Sequence, residues 1–203
     1  MSQRDKLGRP KLRRHFISVK DMMGIIGAAG ADVGTSAGAP VVAVAAGASE
    51  IGVLQMNAAN DEVTHFMPIP WDLDRNKKVL GRIWFIHSST DADTPVWHVK
   101  SKFLAKQATV VDTDTSEDKD TTFAAHTCST TAESFEITTW TDLNWDLYVQ
   151  STDAAVQMLV ACTSLGSASA DEIELLGLEL LYEVDATSER VERSALAIVE
   201  NPL

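Results

Sequence analysis

The string closest to an active site is Gly34-Thr35-Ser36-Ala37-Gly38. It fits the G-x-S-x-G pattern, in which a serine sits on a tight strand-to-helix turn and the glycines admit the strained backbone. A serine held that way is a nucleophile for acyl transfer. Pro40 and the Gly/Ala run behind it make a poor elbow helix. A second candidate is the acidic run with Asp112, Asp114, Ser116, Glu117, Asp118 and Asp120, which starts like a calcium loop with oxygen ligands at alternate positions. The calcium-loop pattern then fails, because Glu117 replaces the turn glycine and Phe123 stands where a bidentate Glu is needed. His15, His65, His87, His98 and His126 form no pair at zinc-ligand spacing, and neither Cys128 nor Cys162 has a Cys or His partner at such spacing. His87 and His98 flank the polar loop Ser89–Thr94, so a hairpin would set them opposite each other. No phosphate-cradling loop or dinucleotide fingerprint occurs.

Charge is distributed unevenly. The net charge is −12, yet seven of the 17 basic residues fall within residues 1–20, against one of the 29 acids. Arg4, Lys6, Arg9, Lys11, Arg13 and Arg14 are the candidate contacts of this basic arm. Nucleic acid would be repelled by the acidic remainder, and Phe16 is the sole aromatic residue of the arm, so base stacking is unsupported. The arm is expected to anchor on an acidic protein surface, including that of another copy.

The elements that must position these residues follow from composition. Residues 21–60 hold seven of the eleven glycines and no Trp, Tyr or Phe. Small side chains bury little area for each residue ordered, so this stretch is expected to be an extended arm with one short strand at Pro40–Ala45. All five tryptophans lie between Trp71 and Trp145. Eight strands are predicted there and beyond: Glu62–Ile69, Val79–Ser88, Thr94–Val111, Thr121–Cys128, Ser134–Trp140, Trp145–Gln150, Ala154–Leu165 and Glu172–Val184. Period-two alternation sets Trp97, Val99 and Phe103 against His98, Lys100 and Lys102. Parallel α/β folds need crossover helices, and the loops are too short for them. The fold class expected is all-β, an antiparallel β-sandwich or barrel of residues 61–185, after the arms 1–20 and 21–60 and before a tail 186–203. Trp84, Trp97 and Trp140 are assigned to its core. Nothing in the chain is apolar for the length of a membrane-crossing helix, and residues 1–20 are too polar for a secretory signal.

The order of features resembles a loose class of tailed-phage virion proteins, small jelly-roll proteins that decorate heads or form head fibres and appendages. The residues that carry it are His15–Lys20 as an opening strand, then the Gly/Ala/Pro-rich stretch. Next come His65–Asp72, a strand ending in Pro and an aspartate-bearing turn, and Ile83–Ile86 and Val96–Lys100 as paired strands. Glu172–Glu183 is the closing apolar strand. What the resemblance implies is a single jelly-roll-like antiparallel β-sandwich with an extended N-terminal arm, a non-enzymatic virion protein with no cofactor that assembles with its own copies, often as a trimer, and with the major capsid or other virion proteins. Two other readings stand beside it. A carbohydrate-binding sandwich for host attachment would use exposed Trp71 or Trp145 beside Asp72 or Asp146. A serine hydrolase would use Ser36: residues 34–39 resemble the serine motif of patatin-like lipases, although the Asp-Gly pair of that family's dyad occurs nowhere in this chain.

Overall fold

The computed structural model describes residues 11–22, 41–44, 52–56, 59, 61–108, 117–168 and 172–185. Among these residues eleven strands alternate with turns: β1 Leu12–Ser18, β2 Val41–Val44, β3 Gly52–Met56, β4 Asp61–Pro68, β5 Leu80–His87, β6 Val96–Ala105, β7 Lys119–Thr122, β8 Ser134–Ile137, β9 Thr141–Asp142, β10 Asp153–Ser164 and β11 Ile173–Glu183. A single helical turn, α1 Val19–Met22, follows β1. Ser18 and Asp21 close it reciprocally: the Ser18 hydroxyl and amide donate to Asp21 Oδ2 at 2.8 and 3.1 Å, and the Asp21 amide donates to Ser18 Oγ at 3.3 Å. Those bonds hold the Asp21 carboxyl below the usual range.

Nested pairing explains the architecture. β6 pairs β7, β5 pairs β8 and β9, β4 pairs β10, and β1 and β3 pair successive lengths of β11, all antiparallel. One long hairpin ribbon folded this way, then rolled so that β11 meets β5 and β10 meets β6, yields two sheets. The large sheet runs β2-β3-β11-β5-β8, with β1 beside β11 and β9 beside β5; the small sheet runs β4-β10-β6-β7. The fold is all-β, two antiparallel sheets packed as a β-sandwich, one of the two closures that the strand pattern of the sequence predicts.

The core lies between the sheets. Ile83 and Phe85 of β5, Trp97, Val99 and Phe103 of β6, Val156, Met158, Val160 and Cys162 of β10, and Phe123 after β7 share one buried cluster. Each large apolar side chain buried there contributes about 1.5–3 kcal/mol. In β11 the inward set begins Ile173, Leu175 and continues Leu178, Leu180, Tyr182. A register shift against β5 between Leu175 and Gly177 inserts the extra residue and switches the parity.

Several expectations are revised. The sandwich starts before residue 61, because β1 from the basic arm and β2 and β3 from the Gly/Ala-rich stretch all belong to the large sheet. Leu12–Ser18 pairs with seven residues of β11, Gly177–Glu183, and buries Ile17. Trp145–Gln150 is no strand: Trp145–Leu147 form a 3-10 turn, entered through Asn144 in the left-handed region at φ 55°. Thr121–Cys128 shortens to β7, which ends at Thr122.

Candidate functional site

The outward face of the large sheet carries the densest set of exposed chemistry. β5 alternates strictly, so Ile83 and Phe85 face the core while Arg82 and Trp84 face out. Trp84 stands across from Gly177 of β11, the one position of the strand with no side chain to crowd the ring. A Cβ at Gly177 would come within 2.4 Å of the Ile17 carbonyl oxygen and 2.8 Å of the Phe16 ring, so only glycine lets β1 approach this closely. Phe16 and Phe135 meet Trp84 from its two sides, each edge-on, with ring centroids 5.3 and 5.2 Å away. Phe16 is 44% and Phe135 52% exposed.

Charge pins this ladder. The Arg82 guanidinium lies 4.4 Å from the Trp140 ring centre and 5.2 Å from that of Trp84. Its Nε donates to Glu179 Oε2 at 2.7 Å, and Trp84 Nε1 donates to the same oxygen at 3.0 Å. Arg14 Nε stands 3.8 Å from the other oxygen. Glu179 is nearly buried, so one carboxylate orients two tryptophan-stacked groups and β1 together. Trp84 and Trp140 thus leave the core to which they were assigned; Trp97 alone of the three is fully buried. The signal was present in the parity of Leu80–His87, where Arg82 marks the outward set.

Of the candidate basic residues of the arm, Lys11, Arg13 and Arg14 lie among the described residues. Arg13 pairs with Asp72 at 2.9 Å and Arg14 with Glu179, both within the chain. Asp72 also accepts from the Tyr182 hydroxyl at 3.3 Å, and burial together with that carboxylate raises the Tyr182 pKa. Lys11 accepts the amide of Val184 on its carbonyl. Arg4, Lys6 and Arg9 lie outside the described residues, as do Ser36, Asp112 and Asp114.

The buried polar groups form one arrangement that resembles a relay. His87 Nε2 is 2.7 Å from Asp93 Oδ2, and the Ser167 hydroxyl donates to Asp93 Oδ1 at 2.5 Å. The carboxylate sits between the other two, so the serine faces an acid and not an imidazole, the wrong order for an activated nucleophile. His87 and Asp93 are wholly buried. The trio fastens the β5–β6 loop to the turn after β10, where Gly166 at φ 71° would bring a Cβ within 2.5 Å of the Thr94 amide.

The expected facing of His87 and His98 does not occur: His87 points into the sandwich from the large sheet, while His98 lies on the outward face of the small sheet, 3.0 Å from Asp120. His65 Nδ1 donates to the Asp21 carbonyl at 2.9 Å, and burial lowers the His65 pKa. Burial pushes the thiols of Cys128 and Cys162 up to about 12, so both stay protonated near neutrality. Among the described residues no group of three His, Cys, Asp or Glu is placed to hold a metal ion. Trp71 is 58% exposed, but its neighbour Asp72 is spent on Arg13 and Tyr182; Trp145 is buried, its indole N–H donating to Ser101 Oγ at 3.0 Å.

No protein-family model matches the sequence, and no curated protein matches it.

Proposed function

We propose that the chain is a structural protein of a tailed-phage virion, a capsid decoration, cement or head/tail appendage subunit that works by assembling with other copies of itself and with neighbouring virion proteins. The observation that carries this reading is the Phe16–Trp84–Phe135 ladder, open to solvent on the outward face of the large sheet. Contiguous exposed apolar surface on a compact domain marks an interaction site. Tryptophan and arginine are also the side chains that dominate binding energy at protein interfaces. The occupant we assign is a second copy of this chain. The face presents Arg14, its side chain 66% exposed, within a protein of net charge −12, so the acidic surface of a copy meets it with complementary sign. A jelly roll suits the task, since its hairpin ribbon gives a rigid body whose outward faces vary without changing the core.

Sedimentation equilibrium tests the assembly. A multiple of 22.0 kDa is expected for the wild type, and the Phe16→Ser/Phe135→Ser variant should fall toward the single-chain mass with its near-ultraviolet circular dichroism retained. Mass spectrometry of purified virions of the encoding phage should find the chain among the particle proteins. A single-chain mass at every concentration, together with absence from the particle, overturns the proposal.

A further inference from the structure

A separate site lies at the end of the sandwich, away from the aromatic ladder. A cleft of about 450 Å³ opens between the end of β6, the start of β10 and the chain after the 3-10 turn. That volume is within the range of small-molecule sites, about 300–1,000 Å³. Phe103 supplies an apolar wall, held edge-on against Trp145 with centroids 5.5 Å apart. Leu147 and Tyr148 form the rim, 71% and 40% exposed. Both belong to the Asn144-led turn, which is locked by the Tyr148 and Val149 amides donating to the Trp145 carbonyl at 3.0 and 2.8 Å. The two large side chains are therefore displayed from a fixed backbone.

The polar wall is fixed as well. Asp118 accepts from Lys102 Nζ and from the Phe103 amide, both at 2.8 Å. Asp153 Oδ2 accepts from the Gln150 amide at 2.7 Å. Arg75 donates to the carbonyls of Gln150 and Asp153 and so ties the β10 end of the cleft to the loop after β4. With Lys102 on Asp118 and Arg75 beside Asp153, the cleft does not select a bare ion. It offers carboxylate oxygens with lone pairs to spare, the Gln150 side-chain amide, and an aromatic ring beside an isobutyl group. That combination suits a neutral ring with one C–H face and a rim of vicinal hydroxyls. Hydroxyl pairs donate to fixed carboxylates, and the C–H face lies on the phenol.

We infer that this cleft binds a pyranose saccharide, with Tyr148 as the stacking platform and Asp118, Asp153 and Gln150 as the hydroxyl partners. The inference does not depend on assembly through the large sheet. It also differs from the sugar site expected from sequence, where Trp71 and Trp145 were the platforms.

Saturation-transfer difference NMR on the full chain tests it, with the methyl glycosides of glucose, galactose, mannose and N-acetylglucosamine as probes. At least one is expected to receive saturation, with a dissociation constant of about 1 mM, common for one sugar ring on an open site. Tyr148→Ala should abolish the transfer and Tyr148→Phe should keep it, because the ring and not the hydroxyl carries the stacking. Trp71→Ala should leave it unchanged. Asp153→Asn, which keeps the shape of the acid, should weaken binding about tenfold. No transfer to any of the four probes overturns the inference, as does transfer that survives Tyr148→Ala or disappears with Trp71→Ala.

Discussion

The two sheets meet solvent in opposite ways. On the small sheet the central strand β10 turns Ala155, Gln157, Leu159 and Ala161 outward, yet each is less than a tenth exposed. Lys100 stands across from Leu159 and Lys102 across from Gln157 on one side, with Thr64 and Phe66 on the other. Long charged side chains shade a narrow apolar centre with their stems and keep their heads in water. On the large sheet the central strand offers Gly177 at the corresponding place, with Trp84 across from it on β5 and the Phe16 ring of β1 closing over it. A glycine centre cannot support them from below as a leucine would, so they lean on one another and on Arg82, and their outer edges stay open. One face covers its central strand and leaves a single ring, Phe66, open at its edge, while the other leaves a contiguous set of rings for something else to cover.

The severest way to break this contrast is at Glu179. Replacing it by Ala removes the acceptor of Arg82 and Trp84 and leaves the guanidinium, largely buried, without its acid. Losing one partner of such a pair costs about 3 kcal/mol. For a chain of this size that lowers the melting temperature by about 6–12 °C, read by differential scanning calorimetry. A drop below about 1 kcal/mol would mean that the ladder stands without its charge pin.

The next test sets the faces against each other. Leu159→Ala removes a side chain 1% exposed and should cost about 2 kcal/mol or more, the range for a buried leucine. Phe135→Ser, at a ring 52% exposed, should change stability by no more than about 0.5 kcal/mol. The assembly readout should invert that ranking: the apparent mass is expected to fall with Phe135→Ser and to hold with Leu159→Ala. If Phe135→Ser destabilises the free chain as strongly as Leu159→Ala, the large sheet is as self-covered as the small one.

Where the pattern of the chain was legible, one physical term dominated. Val96–Leu104 alternates apolar with charged side chains, and its facing was readable from the order alone. Leu80–His87 is apolar on both parities but for Arg82, the single charge that marks its outward set, and Ile173–Glu183 is largely apolar on both, so they declare strands more plainly than faces. The bulge near Gly177 then switches the phase in mid-strand, a feature of pairing that no single strand contains. β1 was legible only from His15 onward, in the stretch that resembles an opening strand, and its first half was hidden for another reason. Arg13 and Arg14 mark it as basic and soluble, and their acids, Asp72 and Glu179, lie far along the sequence. The end cleft was illegible because Phe103, Asp118, Tyr148 and Asp153 come together only after the roll closes.

The smallest expected effect is electrostatic and lies just beyond the ladder, at Glu136 on β8. Burial raises the carboxyl's pKa, but three donors outweigh it: His126 at 2.9 Å and the Ser129 amide and Ser134 hydroxyl at 2.8 Å each. The net shift is downward. A carboxyl depressed in the folded chain binds its proton more readily when unfolded. Its contribution is therefore complete above the ordinary glutamate value, about 4.3, and is lost as pH falls through the lower folded value. Asp142, which receives Lys78 and the Asn144 amide, shifts the same way and adds to the same acid limb. Glu136→Gln keeps the shape and removes the titration, so urea midpoints for the variant should fall less steeply than wild type below about pH 4. Above pH 5 the two slopes should run parallel. Glu136 holds the Ser129–Ser134 turn that carries Phe135 outward, so a flattened acid limb accompanied by loss of assembly at low pH would tie the exposed ring to this one carboxylate. Parallel curves through the whole acid range would show that the turn keeps its form without the charge.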